Sequence, residues 1–217
     1  MTRNGFDFKL EQLHQELIKM GNSVEKQIKD SVEALRNKDK DLAEFVIEND
    51  DVIDKYEVEI EDKCIKLMAT EQPLAVDLRK IFITTKIITD LERMGDHAVD
   101  IAKIAVKLID EEYIKELVDI PKMAELVQIM IREALNVYVT GNVDRAYEVC
   151  KMDDEVDDLF KVILNELLVI MRENSNVINQ ASQFLFVSKF LERMADHTTN
   201  ICEWTVYLET GEKLNLN

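Results

Sequence analysis

The sequence LERMGDHAVDI, from Leu91 to Ile101, returns one hundred positions later as LERMADHTTNI, from Leu191 to Ile201. Seven of these eleven positions are identical, and the exchange of Gly95 for Ala195 replaces one small residue by another. Similarity at a fixed displacement is the signature of a repeated structural unit. The chain is therefore expected to consist of two homologous halves.

The similarity between the halves continues upstream with a displacement of 103 positions. The stretch DDVID at residues 50–54 corresponds to DDEVD at residues 153–157, and Met68 corresponds to Met171. The change in displacement falls between Met68 and Leu91, where each half has a loop that leads into a helix. Such junctions tolerate differences in length.

Apolar residues recur at helical spacing in three runs per half. These runs cover residues 8–35, 42–68 and 74–109 in the first half, and residues 121–139, 143–172 and 176–208 in the second. Five glycines and two prolines leave few interruptions. Three antiparallel helices can close an apolar core without a sheet. We therefore predict an all-α fold of two tandem homologous three-helix bundles, with domains at residues 1–112 and 113–217.

The charge of the chain limits the partners that it can have. With 27 basic and 44 acidic residues, its formal net charge is −17. This charge repels nucleic-acid phosphates and anionic lipids, so cations or basic protein surfaces are the expected partners. The sequence contains neither a long uncharged apolar segment nor the apolar core of a signal peptide. We expect no nucleic-acid binding, no direct membrane insertion and a cytoplasmic location.

Acidic side chains form a stripe on the third helix of each half and another on the middle helix. At about 100° per residue, Glu92, Asp96 and Asp100 share one helix face, opposite the apolar face. Like charges at this spacing destabilise a helix. A hard cation with a preference for oxygen ligands would offset that repulsion, whereas a solvated helix face is the alternative explanation. The stripe is thinner in the second half, where Asn200 stands in the place of Asp100.

Two histidines and two arginines accompany the stripes. His97 and His197 follow the glutamates by five residues, so the Glu-x-x-His spacing of ferritin-like di-iron sites is absent. Each histidine is predicted to form hydrogen bonds at the edge of the core and not to bind metal. Arg93 and Arg193 are predicted to pair with nearby carboxylates.

At these residues the sequence resembles the PhoU family of bacterial phosphate-transport regulators. The resemblance rests on the repeated L-E-R-x-x-D-H-x-x-(D/N)-I, on the D-x-x-(I/V)-D that precedes it in each half, and on QPLAVDLR at residues 72–79. It covers nearly the whole chain and implies two three-helix bundles. It also implies that the protein binds divalent or iron ions (Fe, Mn, Mg or Zn). The metal ligands that it implies are Asp50, Asp54, Glu92, Asp96 and Asp100 in the first half, and Asp153, Asp157, Glu192 and Asp196 in the second.

The resemblance further implies a function that composition and spacing do not reveal. Proteins similar to this chain are negative regulators of the phosphate-starvation response. They connect the ATPase subunit of a phosphate ABC transporter to a phosphate-sensing histidine kinase, and a homodimer is expected. We therefore predict a metal-binding adaptor that is not an enzyme. The alternatives are a metalloenzyme with open catalytic clusters, for hydrolysis or redox chemistry, and a purely structural helical protein without metal.

Overall fold

The computed structural model describes residues 3–213, and within that range the chain is helical and contains no strand. The first half comprises α1 (Arg3–Asn37), α2 (Lys40–Glu48), α3 (Asp51–Glu71) and α4 (Ala75–Lys107). The second half comprises α5 (Asp119–Thr140), α6 (Val143–Glu173) and α7 (Ile178–Thr210), with a short 3-10 turn at Ser175–Val177. The prediction of two tandem helical bundles is confirmed.

Helix α1 shows how the apolar periodicity builds the core. Leu13, Leu17, Met20, Val24 and Ile28 follow one another every three or four residues, and all are buried. Full burial of a side chain of this size contributes about 1.5–3 kcal/mol. The stripe packs against α4 of the same half and also against α5 of the other half.

The middle helix of the first half differs from its prediction. A continuous helix at residues 42–68 was expected, but the helix breaks between α2 and α3 at Asn49 and Asp50. The Asn49 side chain donates to the Phe45 carbonyl at 2.8 Å, and the Asn49 carbonyl accepts a hydrogen bond from Gln27 at 3.2 Å. Such local bonds compete with the helical ladder. In the second half Met152 stands in the place of Asn49 and has no side-chain amide to donate, Met130 stands in the place of Gln27, and α6 is continuous.

Two pairs of helices join the halves into one body. Helix α4 packs on α7, and α1 packs on α5. Arg79 donates to the Leu208 carbonyl at 3.4 Å, while Asp90 contacts His197, so α4 and α7 run antiparallel. A buried hydrogen bond of 2.8 Å joins the hydroxyls of Thr84 on α4 and Tyr138 on α5.

The approach of α1 to α5 depends on a glycine. A Cβ atom added at Gly21 would lie 2.1 Å from Cδ1 of Leu135, so only glycine permits this helix spacing without repacking.

The segment between α4 and α5 is an ordered connection and does not continue either helix. The Tyr113 hydroxyl donates to the Leu35 carbonyl at 2.6 Å. Gln180 of α7 accepts from the Ile114 amide at 2.7 Å and donates to Glu111 at 2.8 Å. No helix within residues 3–213 is long and apolar enough to cross a membrane.

Candidate metal centres

The first carboxylate cluster lies where α3 and α4 meet. Asp50 at the helix break and Asp54 in the first turn of α3 come next to Glu92 and Asp96 of α4. Burial raises the pKa of Asp50 above its ordinary value, and the charges of Asp54 and Asp96 raise it further. Burial likewise raises the pKa of Glu92, with Asp96 as the largest charged contributor. The structure thus brings four of the five predicted first-half ligands together.

Glu57 belongs to the same cluster but is absent from the predicted ligand set. Burial raises the pKa of this glutamate, although a hydrogen bond of 3.2 Å from the Thr89 hydroxyl works in the opposite direction. Its charge also raises the pKa of Glu92. The signal was present in the sequence, because Glu57 follows Asp54 by three residues on the acidic stripe of the middle helix.

Basic side chains partly neutralise the first cluster. Arg93 lies 3.4 Å from Glu92 and 3.3 Å from Asp96, as predicted. Asp100, the fifth predicted ligand, pairs with Lys103 at 3.3 Å, one turn beyond Asp96. These pairs are largely exposed, so each contributes little to stability.

The second cluster lies between α6 and α7 and is the more strongly perturbed of the two. It contains Asp153 and Asp157 of α6 together with Glu192 and Asp196 of α7. Burial raises the pKa of Asp153 to about 7, assisted by the charges of Asp196, Asp157 and Glu192. Burial also raises the pKa of Asp196, with Glu192 as the main charged contributor. All four predicted second-half carboxylates are therefore neighbours.

Two carboxylate oxygens of the second cluster have no hydrogen-bond partner among the described residues. They are Oδ1 of Asp153 and Oε2 of Glu192, and both are buried. Lys189 contacts only the other oxygen of Glu192. The first half has more carboxylates in its acidic stripes, so the sequence favoured a metal site there. Among the described residues, the carboxylate oxygens of the two clusters that are buried without a hydrogen-bond partner lie in the second half instead.

The donor set of both clusters fits a hard cation. All the grouped donors are carboxylate oxygens, and bringing them together costs free energy through repulsion and burial. In the described part of the chain, however, no three His, Cys, Asp or Glu side chains are already arranged to hold a metal ion. Metal binding would therefore require the carboxylate side chains to change rotamer, while the helices that carry them keep their positions. Metal binding at the nine predicted carboxylates stays a prediction.

The two histidines lie at the α4–α7 contact, with ring centroids 6.2 Å apart. His197 forms a hydrogen bond with Asp90 at 2.9 Å, which confirms its predicted role. The same prediction is wrong for His97. Its ring stacks on Phe190 at 5.2 Å, neither ring nitrogen has a partner in the described structure, and burial lowers its pKa to about 4. The difference arises because Phe190 occupies the repeat position that Asp90 occupies in the first half.

The family model for the PhoU domain matches the chain twice, at residues 17–105 and again at residues 120–205. The chain belongs to the PhoU family. Each match contains one complete carboxylate cluster, so both clusters are part of the PhoU domain itself.

Curated relatives align with the PhoU chain over most of its length. A protein of Clostridium acetobutylicum described as a phosphate-specific transport system accessory protein PhoU homolog is 53% identical over 218 residues, which cover 100% of both chains. A homolog of the same description from Pseudomonas aeruginosa is 37% identical over 207 residues, covering 95% of this chain and 86% of the relative.

Solved PhoU structures have the same fold. The crystal structure of PhoU from Pseudomonas aeruginosa superposes with a TM-score of 0.90 at 36% identity, covering 95% of this chain and 100% of that one. The phosphate transport system regulatory protein PhoU from Streptococcus pneumoniae also gives a TM-score of 0.90, at 32% identity, covering 97% of this chain and 99% of that one.

Proposed function

We propose that this PhoU-family protein is a cytoplasmic adaptor without catalytic activity. In this proposal it binds divalent or iron ions at its two carboxylate clusters and represses the phosphate-starvation response. Relatives described as accessory proteins of phosphate-specific transport support the connection to phosphate. The observation that carries the metal proposal is the second cluster, where four carboxylates are neighbours and two buried oxygens lack partners.

The proposed partners are the ATPase subunit of a phosphate ABC transporter and a phosphate-sensing histidine kinase. A chain with a net charge of −17 is poorly suited to repress genes by binding DNA, so repression requires protein contacts. Complementary basic surfaces on the partners would speed association and orient it. Raising the ionic strength should therefore weaken these contacts. A homodimer is the proposed oligomeric state, and light scattering coupled to gel filtration would measure it.

Elemental analysis after dialysis against Mn²⁺, Fe²⁺, Mg²⁺ or Zn²⁺ tests the metal proposal. Two double variants each remove one cluster, namely Glu92→Ala with Asp96→Ala, and Glu192→Ala with Asp196→Ala. Each should lose the metal of its own half while helicity by circular dichroism stays almost unchanged, because none of the four side chains belongs to the buried apolar core.

The matched control replaces two exposed acids outside the clusters, Asp62→Ala with Glu173→Ala. It removes the same charge and should retain the full metal content. Unchanged metal content in both cluster variants, or no bound metal under any loading condition, would contradict the metal proposal without affecting the regulatory one.

Deletion of the gene tests the regulatory role. Phosphate-starvation genes should remain expressed in the deletion strain when phosphate is plentiful, and the unaltered gene should restore repression. The two cluster variants should restore it less well if bound metal supports the protein contacts. Normal repression in a deletion strain that has no related protein would refute the regulatory assignment.

A further inference from the structure

A cleft opens on the surface where α4 contacts α7, with a volume of about 480 Å³. This volume lies within the range of about 300–1,000 Å³ that is usual for small-molecule sites. Both halves contribute to it. Arg93, His97 and Lys103 line it from the first half, and Arg193 lines it from the second.

Arg193 is the cation of this cleft that no carboxylate neutralises. Arg93 is paired with Glu92 and Asp96, and Lys103 is paired with Asp100. Arg193 forms no such ion pair within residues 3–213, contrary to its prediction. An arginine keeps its charge at all relevant pH values and presents its donors in a planar fork that matches an oxyanion.

His97 provides a second, independent indication of a ligand. Its side chain lines the cleft, the residue is only 8% exposed, and both ring nitrogens lack a partner among the described residues. A neutral imidazole carries one donor and one acceptor. Both nitrogens are buried, and leaving them unpaired carries a free-energy penalty that a polar ligand would remove once the ring turns one nitrogen towards the cleft.

Acidic side chains in the same cleft narrow the choice of ligand. Asp50, Asp96 and Asp100 also line it. Asp96 and Asp100 have basic partners, but Asp50 has no ion pair in the described structure. A fully deprotonated anion such as sulfate would meet the Asp50 carboxylate with repulsion. A protonated phosphate group can instead donate its O–H to Asp50 or to the acceptor nitrogen of His97 while its other oxygens accept from Arg193.

We propose that this cleft binds a protonated phosphate group, held by the guanidinium of Arg193 and the imidazole of His97, with an acidic acceptor for its hydroxyl. Inorganic phosphate carries this proton at neutral pH, and a phosphate monoester carries it at about pH 6 and below. The cleft shares Asp50, Asp96 and Asp100 with the first carboxylate cluster, whereas Arg193 and His97 lie outside that cluster. The phosphate proposal does not depend on bound metal, because metal and phosphate would compete for Asp50.

Isothermal titration of the full-length, metal-free protein in chelator at constant ionic strength tests this site. Titrants are inorganic phosphate, adenosine monophosphate and sulfate. We expect one phosphate per chain and at least about 10-fold weaker binding of sulfate, because sulfate has no proton to donate. The titrations are run at about pH 6, where both phosphate compounds carry a proton on a substantial fraction of molecules. Binding by inorganic phosphate alone identifies the free ion as the ligand, whereas tighter binding by the monophosphate identifies a monoester. Both results support the proposal.

Variants connect the binding to the named residues. Arg193→Gln should weaken phosphate binding about 10- to 100-fold through the loss of charge-assisted hydrogen bonds. Arg172→Gln, which removes another exposed arginine on α6, should leave it unchanged. His97→Phe should also weaken binding while its ring can still stack on Phe190.

Three results would overturn the proposal. These are the absence of saturable phosphate binding, sulfate binding as tight as phosphate binding, and equal losses in Arg193→Gln and Arg172→Gln. Circular dichroism on each variant verifies that it is folded. The result leaves the metal proposal untouched, since the titrations contain no metal.

Discussion

Replacing Asp153 by asparagine should stabilise the metal-free protein at pH 8. Burial and four neighbouring carboxylates raise the pKa of Asp153 from 3.8 to about 7. For a fully buried group this difference would correspond to about 4 kcal/mol, at 1.36 kcal/mol per pH unit. Asp153 is only half-buried, and solvent screens part of the interaction, so we expect a gain of about 1–2 kcal/mol.

The sign of the pH dependence follows from proton binding. Between about pH 4 and pH 7 the folded protein retains the Asp153 proton that the unfolded chain has already released. Wild-type stability should therefore fall as the pH rises through this window and change little above it. Asparagine cannot ionise, so the advantage of the variant should be largest near pH 8 and should disappear near pH 4.

Urea denaturation in chelator at about pH 4.5 and about pH 8 gives the free energies of unfolding of wild type and variant. Their differences give the stability gain of Asp153→Asn and its dependence on pH. The exposed Asp62→Asn serves as the matched control and should change little at either pH. If Asp153→Asn is no more stable than wild type at pH 8, or if its advantage is the same at both pH values, burial and the neighbouring charges do not raise the pKa of Asp153 as described.

Two further predictions concern the contacts that join the halves. Thr84→Val should lower the free energy of unfolding by about 1–3 kcal/mol, because it leaves the buried Tyr138 hydroxyl unpaired. Tyr138→Phe should lower it by only about 1 kcal/mol, since Thr84 still donates to the Lys80 carbonyl. Equal costs in urea denaturation would contradict this asymmetry. Gly21→Val should destabilise the protein by about 1–3 kcal/mol, because the new side chain overpacks the α1–α5 contact against Leu135. An unchanged melting temperature would contradict this and show that the Leu135 side chain moves aside freely.

Most of the fold follows from local patterns in the sequence. Apolar spacing located the six helical runs to within about five residues at each end, because the buried faces of long helices dominate their composition. The break at Asn49 and Asp50 was missed. At the break the Asn49 carbonyl accepts a hydrogen bond from Gln27, which lies 22 residues away in the sequence, and periodicity contains no information about such a contact.

The sequence predicted which carboxylates lie near one another, apart from Glu57, but not their energetics. Repeat matching identified the four carboxylates of the second cluster, whose proximity follows from helix faces that meet. It could not reveal that oxygens of Asp153 and Glu192 would be buried without partners, since solvent access depends on the whole packed surface. Nor could it distinguish His97 from His197, whose environments are set by residues on the opposite helix.

The exchange of Asp90 for Phe190 at equivalent repeat positions has an evolutionary consequence. A symmetric dimer of a single ancestral half must place the same residue beside both histidines, so two first halves would give two His–Asp pairs. Two second halves would instead leave four imidazole nitrogens unpaired. Only a fused chain lets each histidine have its own neighbour, one bonded to Asp90 and the other stacked on Phe190. In this chain the two equivalent contacts therefore differ in chemistry, one being polar and the other aromatic.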